Sequence, residues 1–358
     1  MMNILFAINE QYVQHFSAVL ASLRTHHADV QNMNLHVMYM ALDASVCKML
    51  EQQYPEANWN WHDLSEYNFA DLFVNAHISY ETYFRVMAPE IIRVDKLLYL
   101  DSDLLVRSSL IELYQTDLEH AAIAAVRDYK GQERKTELGI AAEYTYVNAG
   151  VLLMNLNYWR EQGLSAKLLD YIRQMGAKLK YWDQDAINAL LHQHAILLDD
   201  RWNVQASSFD APDIDLAVLH NPVIIHFTGA AKPWHISNQN PFKHEYTDYL
   251  SMTSFQGFDV VTPQTYQLLK TKKQLYIWGA GPTGKAVYEH LQHPISGFID
   301  SDPARAGTTF ADLPVFTLAQ IPYTAHIGIL VCSGYFKEIA PILEAAGYTR
   351  DEDFVHQM

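Results

Sequence analysis

The sequence is short of cysteine, of positive charge and of long apolar runs, and each shortage excludes something. Two cysteines, Cys47 and Cys332, in 358 residues are too few for a disulfide framework. They read as small buried hydrophobes of a reducing compartment. Lys and Arg number 25 against 41 Asp and Glu, a formal charge of −16, which argues against partners held by long-range attraction to nucleic-acid or anionic membrane phosphates. No segment reaches the ~18–20 uninterrupted apolar residues of a spanning helix. Met1 to Ala7 has no basic n-region and reads as a first strand rather than a signal peptide. The rest is ordinary globular composition, 49% hydrophobic and 18% charged, at a length for which two domains are the soft expectation. The 17 histidines are scattered, and His26, His27, His290 and His293 read as exposed.

The most informative stretch runs from Asp95 to Arg107. Leu97 to Leu100 is apolar without polar alternation, as in a strand buried on both faces of a parallel sheet. It stops on two carboxylates one residue apart, Asp101 and Asp103, and a second apolar run, Leu104 to Val106, follows. Ligands of open α/β sheets lie outside the carboxyl ends of strands. A carboxylate pair there offers hard oxygen ligands to Mg²⁺ or Mn²⁺, whose remaining positions suit phosphate oxygens. Taken alone, the pair is also explained as a turn former or helix cap.

Asn3 to Ile8 reads as the first strand and Leu35 to Met40 as the second. An amphipathic helix follows each, with Phe16, Leu20 and Leu23 on one face of the first and Ala44 to Tyr54 forming the second. This alternation is the signature of a parallel α/β sheet. After an aromatic loop, Trp59 to Tyr67, a helix from Ser79 is expected to end near Pro89. It carries Arg85, which suits neutralisation of carboxylates or phosphates as well as a surface salt bridge. Ala121 to Val126 is a strand closed by Arg127 and Asp128. Tyr146 to Asn155 is another, entered through Asn148, Ala149 and Gly150, a small turn that lets backbone approach a ligand. Tyr158 to Met175 reads as one helix. Asp183, Gln184 and Asp185 open the next, and two acids in a first turn suit the helix dipole without any chemistry. Ile196 to Leu198 is a strand with a polar exit, Asp199 to Asn203.

A second strand end, Val223 to His226, runs into Gly229 and then Lys232, held extended by Pro233. A lone His at such a place is usually a satisfied core residue. With the Asp pair and Lys232 it makes a metal–diphosphate site, Asp101, Asp103 and His226 on the metal and Lys232 on phosphate.

In family order, four blocks now stand together: Phe6-Ala7 with its polar turn; Tyr99 to Asp103; Asn148 to Asn155; and His226 to Trp234. On these, about the first 250 residues, more than the usual one-domain length, resemble glycosyltransferase family 8, which includes lipopolysaccharide galactosyl- and glucosyltransferases and glycogenin. The resemblance implies a GT-A-type, Rossmann-like α/β domain that binds a nucleotide sugar. It implies Mn²⁺ (or Mg²⁺) on Asp101, Asp103 and His226, and the diphosphate on Gly229 and Lys232. Ala7 and Asn9 then lie against uridine. Arg85, Asp101 and Ser102 fall in the sugar and ribose region, with Asn148 and Ala149 bordering the sugar. Asp183 and Gln184 sit beside the anomeric carbon, and Gln184 and Asp185 are the candidates for a nucleophile; same-face attack without a covalent intermediate is equally open. The chain departs from the family in two places. Relatives often carry an acid where Asn9 stands, and the basic, aromatic tail of the lipopolysaccharide enzymes is not seen here, which leaves acceptor and membrane contact open.

Residues 273–358 start afresh as a small Rossmann-like α/β domain after a first domain of 1–262. Gln274 to Trp278 is a strand. Gly279, Gly281 and Gly284 lie in a Gly-x-Gly-x-x-Gly turn that opens a helix, and Ile295 to Ile299 is a strand ending on Asp300. That context suits a nucleotide, with phosphate at the helix N-terminus and ribose on Asp300. The length suits one mononucleotide half. The expected function is metal-dependent, retaining hexosyl transfer from UDP-galactose or UDP-glucose to a saccharide or glycolipid acceptor. This would serve lipopolysaccharide or other cell-surface glycan synthesis in the cytoplasm, with at most peripheral membrane contact and an oligomer allowed. An NAD-binding oxidoreductase and a silent nucleotide-sugar sensor are the alternatives.

Overall fold

A computed structural model describes residues 1–27, 33–74, 79–229, 232–235, 238, 240–256, 263–291 and 293–357. The chain divides into two compact units, Met1–Ala230 and Ala231–Met358. The expected domain limit at 262 lies outside the described residues, as do Ala230 and Ala231 between Gly229 and Lys232.

The first unit begins β1 (Met2–Ile8), α1 (Val13–His26), β2 (Met33–Tyr39), α2 (Ala44–Gln53), β3 (Asn58–Asp63), α3 (Phe84–Ile91). It continues with β4 (Lys96–Leu100), β5 (Leu104–Val106), α4 (Ile111–Gln115), β6 (Ile123–Arg127) and β7 (Val147–Asn155). Then come α5 (Leu156–Gln162), α6 (Leu164–Met175), α7 (Trp182–Leu191), β8 (Ala195–Leu197), β9 (Val204–Gln205), α8 (Leu216–His220) and β10 (Ile224–His226). The large sheet has the order β3-β2-β1-β4-β7-β6-β8. β1 to β4 run parallel, as the alternation of elements requires. β7 runs antiparallel to both β4 and β6, so the sheet is mixed rather than parallel throughout. That reversal brings the start of β7, not its end, beside the carboxyl end of β4. On one face Tyr83, Phe84, Val86, Trp159, Leu168, Ile172 and Ile187 pack against Leu97, Tyr99, Leu152 and Met154. β5, β10 and β9 form a separate small sheet.

Three local expectations are corrected. The aromatic loop at 59–67 contains β3, in which Trp59 and Trp61 share one face and stack 5.2 Å apart, while Asn58, Asn60 and His62 make the other face polar. Pro89 lies inside α3, which runs on to Ile91. The single helix expected from Tyr158 is broken by Gly163, whose φ of 59° lies in the left-handed region.

The second unit comprises α9 (Lys243–Ser251), α10 (Pro263–Thr271), β11 (Gln274–Trp278), α11 (Pro282–Leu291), β12 (Gly297–Ile299), β13 (Thr309–Phe310), β14 (Leu313–Phe316), β15 (Ile327–Val331), α12 (Phe336–Ala345) and β16 (Phe354–His356). The sheet order is β13-β14-β12-β11-β15-β16, and all but β13 run parallel. Counted from β11, the parallel strands follow the 3-2-1-4-5 order of doubly wound sheets. The unit therefore exceeds the single mononucleotide half expected: beyond β11, β12 and β14 it adds β15 and β16 on the other side of β11. Among the described residues no helix is long and apolar enough to cross a membrane.

Candidate active site

β1 and β4 are neighbours at the point where the strand order of the large sheet changes direction, the usual place for a ligand. Ser102 Oγ donates to Ala7 O at 2.9 Å and ties the two strand ends together. Asp101 N donates to Gly150 O (2.8 Å) and Phe227 N to Asp103 O (3.0 Å). Antiparallel pairing of β10 with β5 sets His226 opposite Leu104, one residue from Asp103. Register alone thus brings together a His and an Asp 123 positions apart in the sequence.

Asp101, Asp103 and His226 each offer one ligand atom, all within 4.8 Å of one another. His226 Nε2 stands 3.2 Å from Asp103 Oδ1 and 3.5 Å from Asp101 Oδ2. Burial works against charge on His226, but the Asp103 and Asp101 carboxylates outweigh it and push its pKa up to about 9. Burial likewise opposes ionisation of Asp101, yet Arg85 and His226 hold its pKa below the usual carboxylate range. Two carboxylates that draw a proton onto a buried imidazole call for a cation, and the donor set suits a divalent metal. Gly150 makes the convergence sterically feasible. A Cβ there would stand 2.1 Å from His226 Cε1 and 2.5 Å from Asp101 Oδ2.

Arg85 is buried on α3 beside this group. Its Nη1 donates to Asp101 Oδ1 (3.2 Å) and to Ala149 O (2.6 Å), and its guanidinium carbon stands 4.4 Å from the centre of the Tyr99 ring. Tyr99 OH donates to Asp101 Oδ1 at 2.7 Å. Asp183 Oδ1 accepts from Thr82 Oγ1 (2.8 Å). Its Oδ2 stands 2.8 Å from Arg85 Nε, but that N–H is directed at Thr82 O (3.2 Å), so among the described residues Oδ2 has a charge contact and no directed hydrogen bond. Burial, only partly offset by Arg85, raises the Asp183 pKa to about 6. Trp182, immediately before it, has a φ of 47°, a strained conformation for a bulky residue of the kind that clusters at functional sites.

Gln184 is held at both ends: Oε1 accepts from Ala149 N (2.9 Å) and Nε2 donates to Asp128 Oδ2 (3.0 Å). Asp185 is turned away from any ligand, with no exposed surface. Its carboxylate accepts from Tyr146 OH (2.7 Å), Arg134 Nη2 (3.1 Å) and the backbone N–H groups of Lys180 (2.8 Å) and Tyr181 (3.1 Å), which braces the start of α7. Asn148 is 5% exposed and hydrogen-bonded inward: Nδ2 to Asp128 Oδ2 (3.1 Å), while Oδ1 accepts from Gly150 N (2.9 Å) and Asn203 Nδ2 (2.9 Å). Asn203 Oδ1 in turn lies 3.0 Å from His226 Nδ1. Asp128, Asn203, Tyr99 and Thr82 carry site contacts that the sequence does not assign to them, and only their positions at or beside strand ends and at the entry to α3 mark them. Asn9 caps a single 3₁₀ turn, its Oδ1 accepting from Tyr12 N (3.2 Å) and its Nδ2 reaching Ser79 Oγ (3.3 Å). Gly229 takes a φ of 80°, and a Cβ there would meet nothing within 4 Å. Lys232 belongs to the second unit, where its N–H donates to His235 Nδ1 (3.3 Å).

In the second unit, Gly279 has a φ of 121° and a Cβ there would meet Cys332 O at 2.8 Å; one at Gly284 would meet Gly279 O at 2.0 Å. A Cβ at Gly281 would meet nothing within 4 Å. Asp300 is already engaged, accepting from Arg305 Nη1 (2.7 Å) and Asp302 N (3.0 Å).

A mixed α/β sheet with an Asp-x-Asp turn at its switch point defines a GT-A-type glycosyltransferase fold. The galactosyltransferase LgtC, solved in complex with donor and acceptor sugar analogues, aligns with a TM-score of 0.65 at 26% identity, over 74% of this chain and 99% of that one. Residues 3–237 match the glycosyl transferase family 8 model, and the chain belongs to that family. It is 26% identical over 277 residues to General stress protein A of Bacillus subtilis (strain 168), covering 71% of this chain and 94% of that protein. It is 29% identical over 209 residues to the Lipopolysaccharide 1,2-glucosyltransferase of Escherichia coli, covering 55% of each.

Proposed function

We propose that the chain moves a hexose from UDP-galactose or UDP-glucose to a saccharide or glycolipid acceptor with retention of configuration, in lipopolysaccharide or other cell-surface glycan synthesis. The observation that carries this is the convergence of Asp101, Asp103 and His226 within 4.8 Å at the switch point of a family 8 fold. Similarity to the LgtC galactosyltransferase and to the Escherichia coli lipopolysaccharide glucosyltransferase supports the choice of donors. Mn²⁺ or Mg²⁺ on these three residues would stabilise charge on the departing diphosphate. In this reading Gly229 and Lys232 bind the diphosphate, Ala7 and Asn9 the uridine, and Arg85, Asp101, Ser102, Asn148 and Ala149 line the sugar and ribose region. Asp183 and Gln184 face the anomeric carbon, and Asp185 supports them from behind. Residues 1–262 would house donor and acceptor sites and 273–358 a separate domain, in a cytoplasmic protein with at most peripheral membrane contact.

UDP release should be measured with UDP-glucose, UDP-galactose and UDP-N-acetylglucosamine, with and without Mn²⁺. Turnover that ignores the metal, or none with any donor, removes this reading. NMR of the product should show an α linkage, and a β linkage removes retention.

A second reading concerns the Gly279 turn, as a site for a nucleotide or nucleotide sugar. It is favoured by Gly281, which no neighbouring atom and no positive φ requires to be glycine. The other glycines of the turn have reasons within the protein.

A further inference from the structure

The hydrogen bonds behind the metal group form one connected chain whose polarity is fixed throughout. Asp128, as a carboxylate, only accepts, and the N–H groups of Gly150 and Ala149 only donate. Asn148 lies between Gly150 N and Asp128, so its Oδ1 must face Gly150 and its Nδ2 must face Asp128. The same Oδ1 takes the Asn203 amide, which turns Asn203 Oδ1 toward His226 Nδ1. That nitrogen must then carry a proton in either charge state of the ring, so that in the neutral imidazole a metal would bind, the lone pair falls on Nε2, the atom facing Asp103 and Asp101. From the other side, Ala149 N fixes Gln184 Oε1, and Gln184 Nε2 falls on the same Asp128 oxygen. Asn203 and Asn148 are 1% and 5% exposed, so water has little access to substitute for these bonds.

We propose that Asp128, Asn148 and Asn203 are positioning residues that fix the tautomer of His226 at one end and the orientation of the Gln184 amide at the other. The metal ligand and the amide assigned to the anomeric carbon then share a single anchor. Outer partners of metal-binding histidines set ring orientation and ligand basicity in this way. The inference rests on the metal reading above, and the test separates the two.

Mn²⁺ is titrated calorimetrically into the full chain and its variants without donor, so the readout is affinity rather than turnover. Asn203→Leu removes the acceptor for Nδ1–H and should weaken Mn²⁺ binding by about 10- to 100-fold. Asn203→Asp keeps that acceptor, though not the donor to Asn148, and should stay within about threefold of wild type while UDP-sugar kcat falls by about tenfold or more. Asp128→Asn must turn a donor toward either Gly131 N or the two amides, and should lower kcat with KM within about threefold. If Asn203→Leu does not fold, the Asn203→Asp and Asp128→Asn arms carry the test. Wild-type affinity in Asn203→Leu, equal losses in the Leu and Asp variants, or unchanged kcat in both Asn203→Asp and Asp128→Asn overturns the relay alone. No Mn²⁺ binding by the wild-type chain overturns the metal reading and the relay with it.

Discussion

The carboxyl ends of β1 and β4 in the first unit and of β11 and β15 in the second hold the same topological position, where a doubly wound sheet changes direction. The first is furnished with charged side chains: Asp101, Asp103 and His226 in one group, with Arg85 and Asp183 against it. The second is furnished mainly with backbone. Its turn is shaped by Gly279 and Gly284, and its acid, Asp300, is already paired with Arg305. Helix N-termini hold anions without a metal, whereas a departing diphosphate gains most from charge placed where charge develops. The same topological position is therefore furnished in two ways, with charged side chains in the first unit and with backbone in the second.

The largest expected effect lies in the first region. Asp103→Ala or His226→Ala should lower UDP-sugar turnover by at least about 100-fold, the scale of losing a main electrostatic contact in catalysis. Asp300→Ala should leave turnover within about twofold. Equal losses in a UDP-release assay would mean that the two regions act as one site.

In one respect the regions should behave alike. Burial, reinforced by His62, lowers the His36 pKa to about 4, and burial, with Lys232 next in weight, lowers that of His235 to about 4 in the second unit. A histidine depressed in the fold contributes stability that is complete above its unfolded pKa near 6.5 and is lost as pH falls toward 4. For His36, 7% exposed, the loss is about 3 kcal/mol. Hydrogen exchange read by mass spectrometry on the intact chain should accelerate in both units between pH 6.5 and 4.5, and His36→Phe should blunt the change in β2 alone. Acceleration confined to one unit would break the parallel.

Lys232→Ala sharpens the contrast on the ligand side. Losing one charge-assisted contact, about 1.5–3 kcal/mol, should weaken UDP far more than uridine by calorimetry. Equal losses would take Lys232 off the diphosphate.

How much of this was legible follows from where each signal resides. The grouping of Asp101, Asp103 and His226 was legible because apolar runs stop abruptly on Asp101 and His226, and strand ends are where α/β ligands lie. Asp128 and Asn203 were not, since polar residues at strand ends look like turn formers until partners 20 and 55 positions from Asn148 are in place. Spacing named Asp183, Gln184 and Asp185 together but could not say that α7 turns Asp185 inward to Tyr146 and Arg134. β3 is legible in the alternation of Asn58, Trp59, Asn60, Trp61 and His62, which the reading as an aromatic loop passes over, whereas the reversal of β7 leaves no trace in periodicity.

The smallest effect is the most discriminating for the second region. Gly284→Ala would place a Cβ 2.0 Å from the Gly279 carbonyl oxygen, a backbone atom that cannot step aside, and should cost about 1–3 kcal/mol of stability. Gly281→Ala meets open space and restricts the unfolded chain, so it should be neutral or stabilising by up to about 1 kcal/mol. If a phosphate approaches that turn, the added methyl obstructs it, and Gly281→Ala should lose a UDP-binding event while keeping its thermal stability. Titration in a His226→Ala background, where the first site is weakened, isolates that event. A Gly281→Ala variant as unstable as Gly284→Ala would give the glycine a structural reason. Unchanged UDP binding with intact stability would leave the turn without a nucleotide, a fold element that keeps helix and strand in close contact.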